Sequence, residues 1–429
     1  MIDELNVSKT VKLDLCVSCG VCKVSCPQKA IDLVFSSGHY HPNILDGCNS
    51  CGICLKLCPG IEVRFKELYL SDSRSFTQDI FLGSIIKAYQ CYAKDSQIRK
   101  LSTSGGMITS LIISLIKSGN YCGAFVLQSK VINTNLAKLS FIHNINQIIS
   151  AAKSKYLPAS VENVVKYISM NSNSSIIVVG TPCQIHGIKK FINHFKLAKD
   201  GNNILFLGLF CDKTLNYNFI SYFQKFYAKR REIINFDYRN KEKNGWPGDT
   251  KISFSNGNTI FIKRNIRMSL KKFYQLNRCL FCIDKLNQMA DISFGDCYTP
   301  GQESNLGNSN ILIRTEKGLN TIENHRDNFY LEEIDSSLIV SSQKLKDRKN
   351  NLFYSYIFKE ATGHCIYPDI DIDNVLYFNQ LKKSLIKKKK TLSYGKDVKN
   401  INKIYLINLY DRIKGFGIGI INKTLKTKE

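Results

Sequence analysis

Cys16-Val-Ser-Cys19-Gly-Val-Cys22-Lys-Val-Ser-Cys26-Pro27 and Cys48-Asn-Ser-Cys51-Gly-Ile-Cys54-Leu-Lys-Leu-Cys58-Pro59 repeat one spacing. Each run sets three cysteines on a short loop and a fourth further along, followed by proline. Thiolates spaced this way wrap a small cube of iron and sulfide, and in the doubled arrangement the fourth cysteine of each run ligates the other cube. The reading assigns Cys16, Cys19, Cys22 and Cys58 to one [4Fe–4S] cluster, and Cys48, Cys51, Cys54 and Cys26 to a second. The prolines turn the chain, because proline fixes φ and cannot continue a ladder. Gly20 and Gly52 let backbone come close to inorganic sulfide. Structural zinc, also held by four cysteines, is the alternative. A single Cys-x2-Cys leaves it open, whereas two complete runs ending in Cys-Pro point to single-electron transfer.

Outward from these runs, the chain has 429 residues, 16 cysteines and a net charge of +25. That length suggests about three domains, and the apolar content is enough for sizeable cores. No apolar run approaches the roughly 18 residues of a membrane span, and Met107 to Ile116 reads as a buried helix. Met1-Ile-Asp-Glu-Leu5 has neither the basic start nor the apolar stretch of a secretory signal. Cluster thiolates also need a reducing compartment, so the expected location is the cytoplasm. Residues 381–429 hold 14 Lys and Arg against three acidic residues. Leu406, Leu409, Ile413, Phe416 and Ile420 recur there at a helical period, which suggests a basic amphipathic segment. It could rest on an anionic membrane or an acidic partner, but a terminal helix packed on its own domain is the preferred reading. Nothing resembles a nucleic-acid reading motif, and charge alone is weak evidence for such a ligand.

The fold class expected is α+β: a dicluster ferredoxin-like module over 1–65, a mixed α/β core, and a basic helical extension over 336–429. Residues 66–86 read as a connector of mixed polarity. Tyr121 to Leu127, Ser175 to Gly180, Ile204 to Phe210, Ala290 to Gly295 and Asn310 to Arg314 read as strands. Helices alternate with them, suggesting parallel pairing. Lys251 to Phe254 and Thr259 to Lys263, joined through Asn256-Gly257, read as a hairpin.

Two loops look like ligand sites. Ser102-Thr103-Ser104-Gly105-Gly106 opens a helix, where hydroxyls and free N–H groups suit a phosphate, although such a stretch is often only an N-cap. Thr181-Pro182-Cys183-Gln184 follows a buried strand, at the sheet edge where α/β folds hold ligands. Cys183, Cys211 and the pair Cys279-x2-Cys282 could assemble a third [4Fe–4S] cluster from distant segments. Cys297 is a reserve ligand. Cys91, Cys122 and Cys365 read as packing residues.

Taken in order, Ser102-Thr-Ser-Gly-Gly106, Ser154-Lys155-Tyr156, Gly180-Thr-Pro-Cys-Gln184, Tyr238-Arg239-Asn-Lys241 with Trp246, Cys279-x2-Cys282-x-Asp284, Ala290-Asp-Ile-Ser-x-Gly-Asp296 and Asn308-Ser309 with Arg314-Thr315 resemble the coenzyme F420 hydrogenase/dehydrogenase beta-subunit family. The likeness runs from about residue 1 to 330, with the N-terminal part of the family domain over 86–165 and the C-terminal part over 170–335. It implies a flavin, usually FAD, beside an iron–sulfur cluster. Ser102 to Gly106, with Thr181, Pro182 and Gln184, would line the flavin, and Ser154, Lys155 and Tyr156 would touch flavin or substrate. Arg239 and Lys241 would face an anionic substrate or a reduced flavin, or else form a solvated face ahead of the hairpin. Asp296 would position water or ribityl hydroxyls, or cap a turn.

The implied function is an iron–sulfur flavoprotein oxidoreductase. Clusters fed by ferredoxin or another low-potential carrier would load a flavin that reduces or oxidises a small substrate. Some relatives lie among surface-polysaccharide genes, which extends the implied substrates to sugars or lipid-linked intermediates. The alternative is an electron relay that links coenzyme F420 to a larger hydrogenase or dehydrogenase complex. A redox sensor fits less well, because no output domain is visible.

Overall fold

Apolar, β-branched runs bounded by turns become the strands. In a computed structural model they are β1 (Ile31–Ser36), β2 (His39–Ile44), β3 (Lys87–Ala93), β4 (Gly123–Leu127), β5 (Ala137–Ile142), β6 (Ala159–Ser160), β7 (Ser175–Gly180), β8 (Asn203–Leu209), β9 (Ile233–Asn240), β10 (Asp249–Phe254), β11 (Thr259–Ile262), β12 (Ile292–Asp296), β13 (Ser309–Ile313) and β14 (Phe329–Glu333). The structure describes residues 5–411 apart from 78, 129–135, 172, 198–202, 303 and 371–377.

Nine strands form one sheet in the order β14-β3-β13-β12-β8-β7-β4-β5-β6. Its centre is parallel, as expected: β4 with β7, β7 with β8, and β8 with β12. The flanks pair antiparallel through β12–β13, β13–β3, β3–β14 and β4–β5, with the short edge strand β6 parallel to β5. The sheet is therefore mixed. Both faces of its centre are covered, so Ile176, Ile177 and Val178 are all at most 1% exposed, each worth about 1.5–3 kcal/mol of burial. The expected hairpin forms as β10–β11, and β9 pairs alongside β10.

Chain ends of the central parallel strands converge on one edge, the usual crevice of such sheets. Thr181 follows β7, Phe210-Cys211 follows β8, and Cys297 follows β12. The N-terminal region packs over this edge and shares a core with it. Val7, Leu15, Val21, Phe65 and Tyr69 belong to the same buried cluster as Val164, Ile185, Met289 and Phe358. Cross-links reinforce the contact: Val63 N–H donates to the Ile366 carbonyl at 2.9 Å, and Arg278 Nε to the Gly60 carbonyl at 2.8 Å.

Three differences from the sequence reading have local causes. The connector begins with a helix, Phe65–Ser71, because Phe65, Leu68 and Tyr69 lie on one face and are buried. The C-terminal extension is integral: the helix Arg348–Thr362 is half core, and Leu385 and Leu392 seat the basic helix Phe378–Lys396. Residues 401–411 are helical and bury Ile401 and Ile404, while Leu406 and Leu409 are exposed. Ile413, Phe416 and Ile420 lie outside the described residues. Among the described residues, no helix is long and apolar enough to cross a membrane.

Candidate functional site

Cys16, Cys19, Cys22 and Cys58 line one small cavity, walled by Val7, Gly20, Leu33 and Pro42. Gly20 adopts φ +72°, and a Cβ there would meet Ser160 Oγ at 2.5 Å. The glycine serves packing against that serine as well as the left-handed turn. Burial pushes the Cys16 thiol up to about 12, opposed by the Ser18 N–H and reinforced by Cys58. Burial and repulsion from Cys58 raise Cys19 and Cys22 too. A free thiol is disfavoured as an anion here, a balance that a bound metal cation would reverse. Donors already point at the sulfurs: Ser18 N–H to Cys16 Sγ at 3.4 Å, and the Thr10 hydroxyl to Cys58 Sγ at 3.5 Å.

Neighbouring thiols form a series. Cys54 is raised by burial and further by Cys26 and Cys51, and Cys22 is within electrostatic reach of Cys54. Cys51 is exposed, and Cys48 is half-buried in the same loop. Ala30 N–H donates to Cys26 Sγ at 3.3 Å. On the other side, Cys19 feels Cys183. Cys183 feels Cys282, Cys211 feels Cys279, Cys183 and Cys282, and Cys279 is pushed up to about 12 by burial with help from Cys282 and Cys183. Four cysteines from distant segments therefore lie within electrostatic reach of one another. Cys297 does not join them; it is buried beside Cys91, with its thiol on Gln90 Oε1 at 3.4 Å. Cys122 is exposed rather than packed.

Local sequence explains how the quartet is held. Pro182 starts the helix Pro182–His194, and Gln184 Oε1 accepts from Thr181 N–H at 2.8 Å, closing the first turn around Cys183. Thr214 N–H donates to Cys279 Sγ at 3.5 Å. From the extension, Arg348 donates to the Cys282 carbonyl at 3.1 Å and Asn351 to the same carbonyl at 2.8 Å. Sequence reasoning missed both residues, which follow the motif-bearing stretch and lie in no recognisable pattern.

The Ser102–Gly106 loop lies against the ends of β3 and β13. Gly105 N–H donates to Ser309 Oγ at 3.1 Å, and a Cβ on Gly105 would meet the Cys91 carbonyl at 2.9 Å. Ser104 donates to the Asn308 carbonyl at 2.5 Å, and Ser154 N–H donates to Thr103 Oγ1 at 2.8 Å. The Ser102–Gly106 loop and the Ser154-Lys-Tyr156 stretch, both singled out in sequence, thus touch. The Ser102 hydroxyl is buried and has no partner among the described residues.

Arg239 and Lys241 sit beside this loop with their charges engaged inside the protein. Arg239 grips Asp296 through both carboxylate oxygens, at 2.6 and 3.0 Å. Burial would raise the Asp296 carboxyl, but Arg239 and the Trp246 indole hold it below its ordinary value. Lys241 Nζ donates to the carbonyls of Arg99, Leu306 and Ser104 at 2.6, 2.6 and 3.2 Å. Burial and the nearby Arg99 and Arg239 push its ammonium down to about 7. Burial does the same to Lys155, which donates to the carbonyls of Ala151 and Ala152. Tyr156 stands between, at φ +48°.

Residues 173–337 match the C-terminal domain, and residues 88–166 the N-terminal domain, of the family described as "Coenzyme F420 hydrogenase/dehydrogenase, beta subunit". Residues 9–32 match a 4Fe–4S binding domain. The chain is 26% identical over 394 residues to a coenzyme F420-dependent sulfite reductase of Methanocaldococcus jannaschii, covering 84% of this chain and 55% of that protein. It therefore spans about half the length of that relative. It is 24% identical over 239 residues to a coenzyme F420 hydrogenase beta subunit of Methanococcus voltae, covering 55% of this chain and 79% of the other. In fold it resembles a chain of the F420-reducing [NiFe] hydrogenase complex from Methanosarcina barkeri, with TM-score 0.50 and 18% identity, over 68% of this chain and all of that one.

Proposed function

The chain belongs to the coenzyme F420 hydrogenase/dehydrogenase beta-subunit family, and from that premise we propose that it is the iron–sulfur electron relay of an F420-linked oxidoreductase, working with a larger redox complex. The observation that carries the reading is the series of thiol groups running from exposed Cys51, through the cavity of Cys16, Cys19, Cys22 and Cys58, to Cys183 and its three neighbours. Cys16, Cys19, Cys22 and Cys58 would hold the inner N-terminal [4Fe–4S] cluster, Cys26, Cys48, Cys51 and Cys54 the outer one, and Cys183, Cys211, Cys279 and Cys282 a third. Among the described residues, no three His, Cys, Asp or Glu groups converge on a point suited to one metal ion.

Such clusters supply one-electron transfer at potentials set by hydrogen bonds and solvent exposure. The chain's part is to set both. Thr10, Ser18, Ala30 and Thr214 donate to cysteine sulfurs that would hold the clusters, while Val7, Leu33 and Pro42 wall the inner cavity. Exposed Cys51 offers the outer site to a low-potential carrier such as ferredoxin, or to the partner complex.

The same reading includes a flavin, FAD, beside Ser102–Gly106. The unpartnered, buried Ser102 hydroxyl next to the start of the helix Met107–Lys117 suits a phosphate oxygen. A bound flavin would interconvert two-electron chemistry with F420 and one-electron chemistry with the clusters. Lys241 fixes the loop, and the Arg239–Asp296 pair fixes the floor beneath it.

The test is anaerobic: the reconstituted full chain is assayed for iron and flavin, then mixed with reduced coenzyme F420. About twelve irons per chain and bleaching of the cluster absorbance as the coenzyme is oxidised are expected. An iron-loaded protein that takes no electrons from the reduced coenzyme overturns the reading.

A further inference from the structure

Lys271, on the helix Arg264–Tyr274, is 9% exposed and has no hydrogen-bond or ion-pair acceptor among the described residues. Its ammonium instead lies over the face of Tyr156, 4.5 Å from the ring centroid. The charged groups around it do not supply a free anion. Arg267 lies one turn back on the same helix, donating to the carbonyls of Tyr238 and Gly248. Arg239 is closed on Asp296. Asp212, the acid that faces Lys271 from the loop after β8, is already bound by Arg348 at 3.0 Å and Lys213 at 3.3 Å. A largely enclosed ammonium with no paired counter-charge is disfavoured unless something completes it.

Tyr156 is the second half of the arrangement. It is half-buried, held in the left-handed backbone region at φ +48°, and fixed by Leu215 N–H donating to its carbonyl at 2.7 Å. Non-glycine residues in that region are costly and cluster at ligand clamps. Its phenol faces the positive charges of Arg239, Lys271 and Arg267.

We propose that Lys271 and Tyr156 form an oxyanion seat, taking a carboxylate or phosphate group of the reacting ligand between the Cys211-bearing loop and the Arg239–Asp296 pair. The ammonium supplies charge and the phenol a directed donor, a pairing that favours charge-assisted hydrogen bonds. That this ligand is a redox partner of the clusters rests on the function proposed above; the seat itself does not.

The experiment uses the anaerobic, cluster-loaded full chain with inorganic phosphate as probe, reading the melting temperature at constant ionic strength against chloride. Phosphate should raise the melting temperature of the wild type. Lys271→Met should abolish that rise, and Tyr156→Phe should weaken phosphate binding about tenfold. Without phosphate, Lys271→Met should melt no lower than the wild type, because it removes an uncompensated charge; a merely structural lysine would not behave so. Lys403→Met is the control: Lys403 makes the same 4.5 Å contact with a ring, Tyr394, but is exposed. It should keep the full response. An equal phosphate effect on wild type and Lys271→Met, or a loss of the response in Lys403→Met, overturns the seat. A repeat with coenzyme F420, which carries its own oxyanions, separates the two proposals. Phosphate stabilisation without coenzyme binding keeps the seat and counts against the F420-linked reading.

Discussion

Arg348 reaches across 66 residues of sequence to the Cys282 carbonyl, at 3.1 Å, and its other arm meets the Cys211 carbonyl at 3.4 Å and Asp212 Oδ1 at 3.0 Å. One guanidinium thus ties the C-terminal extension to the Cys211 and Cys279–Cys282 loops of the third thiol quartet. Hydrogen bonds from a charged group are worth about 1.5–3 kcal/mol each. Arg348→Ala should therefore loosen the quartet selectively. Iron per chain is expected to fall by about four atoms, with the EPR signals of the N-terminal pair retained. Unchanged iron would show that the extension does not support this site.

The Arg239–Asp296 pair is nearly closed to water, with side-chain exposures of 4% and 17%. Removing one partner from such a pair strands the other charge, at about 3–5 kcal/mol. Asp296→Ala should lower unfolding stability by about that amount. The double variant Arg239→Met, Asp296→Leu should recover much of the loss, because neither charge is then left buried. Denaturant unfolding of the two variants decides it; a double variant as unstable as the single would contradict the argument.

His39 is 5% exposed. Burial, with His41 adding repulsion, pushes its imidazole down to about 3. A base with a lowered folded value gives its full stabilisation above the unfolded value of about 6.5, and loses it as pH falls towards the folded one. By about pH 5 the loss approaches 2 kcal/mol. His39→Asn should flatten the fall in melting temperature between about pH 7 and pH 5. A variant that tracks the wild type over that range would remove His39 as the acid-sensitive group.

Some of this was legible in the residues and some was not. The central strands β7, β8, β12 and β13 read well because β-branched runs bounded by turn residues carry their own signal. The cysteine runs were legible too, since their spacing shows which thiols can share a loop. β3 and β9 did not read, because Lys87-Ala-Tyr-Gln-Cys-Tyr-Ala93 and Ile233-Ile-Asn-Phe-Asp-Tyr-Arg-Asn240 mix polar residues into strands that are buried by their neighbours. The settings of Arg239 and Lys241 were equally hidden. Their partners, Asp296 and the carbonyls of Arg99, Ser104 and Leu306, come from segments far away in sequence. Lys271 carried no motif at all; only the fold brings it under no acceptor and over Tyr156.

Gly395 tests whether the basic helix is part of the fold or an appendage. A Cβ there would fall 2.0 Å from the Phe273 carbonyl, a backbone atom that has no flexible end to swing away. The Gly395 carbonyl is also held, by Asn216 Nδ2 at 3.1 Å and Asn218 Nδ2 at 3.0 Å. Gly395→Ala would ordinarily favour a helix by up to about 1 kcal/mol, so its intrinsic effect and its packing effect have opposite signs. Overpacking typically costs about 1–3 kcal/mol, and here it should win. The variant should be destabilised, with faster proteolysis within 378–411. Lys383→Ala, on the exposed face of the same helix, should do neither. A Gly395→Ala protein more stable than the wild type would mean that the basic helix does not dock on Arg264–Tyr274 in solution.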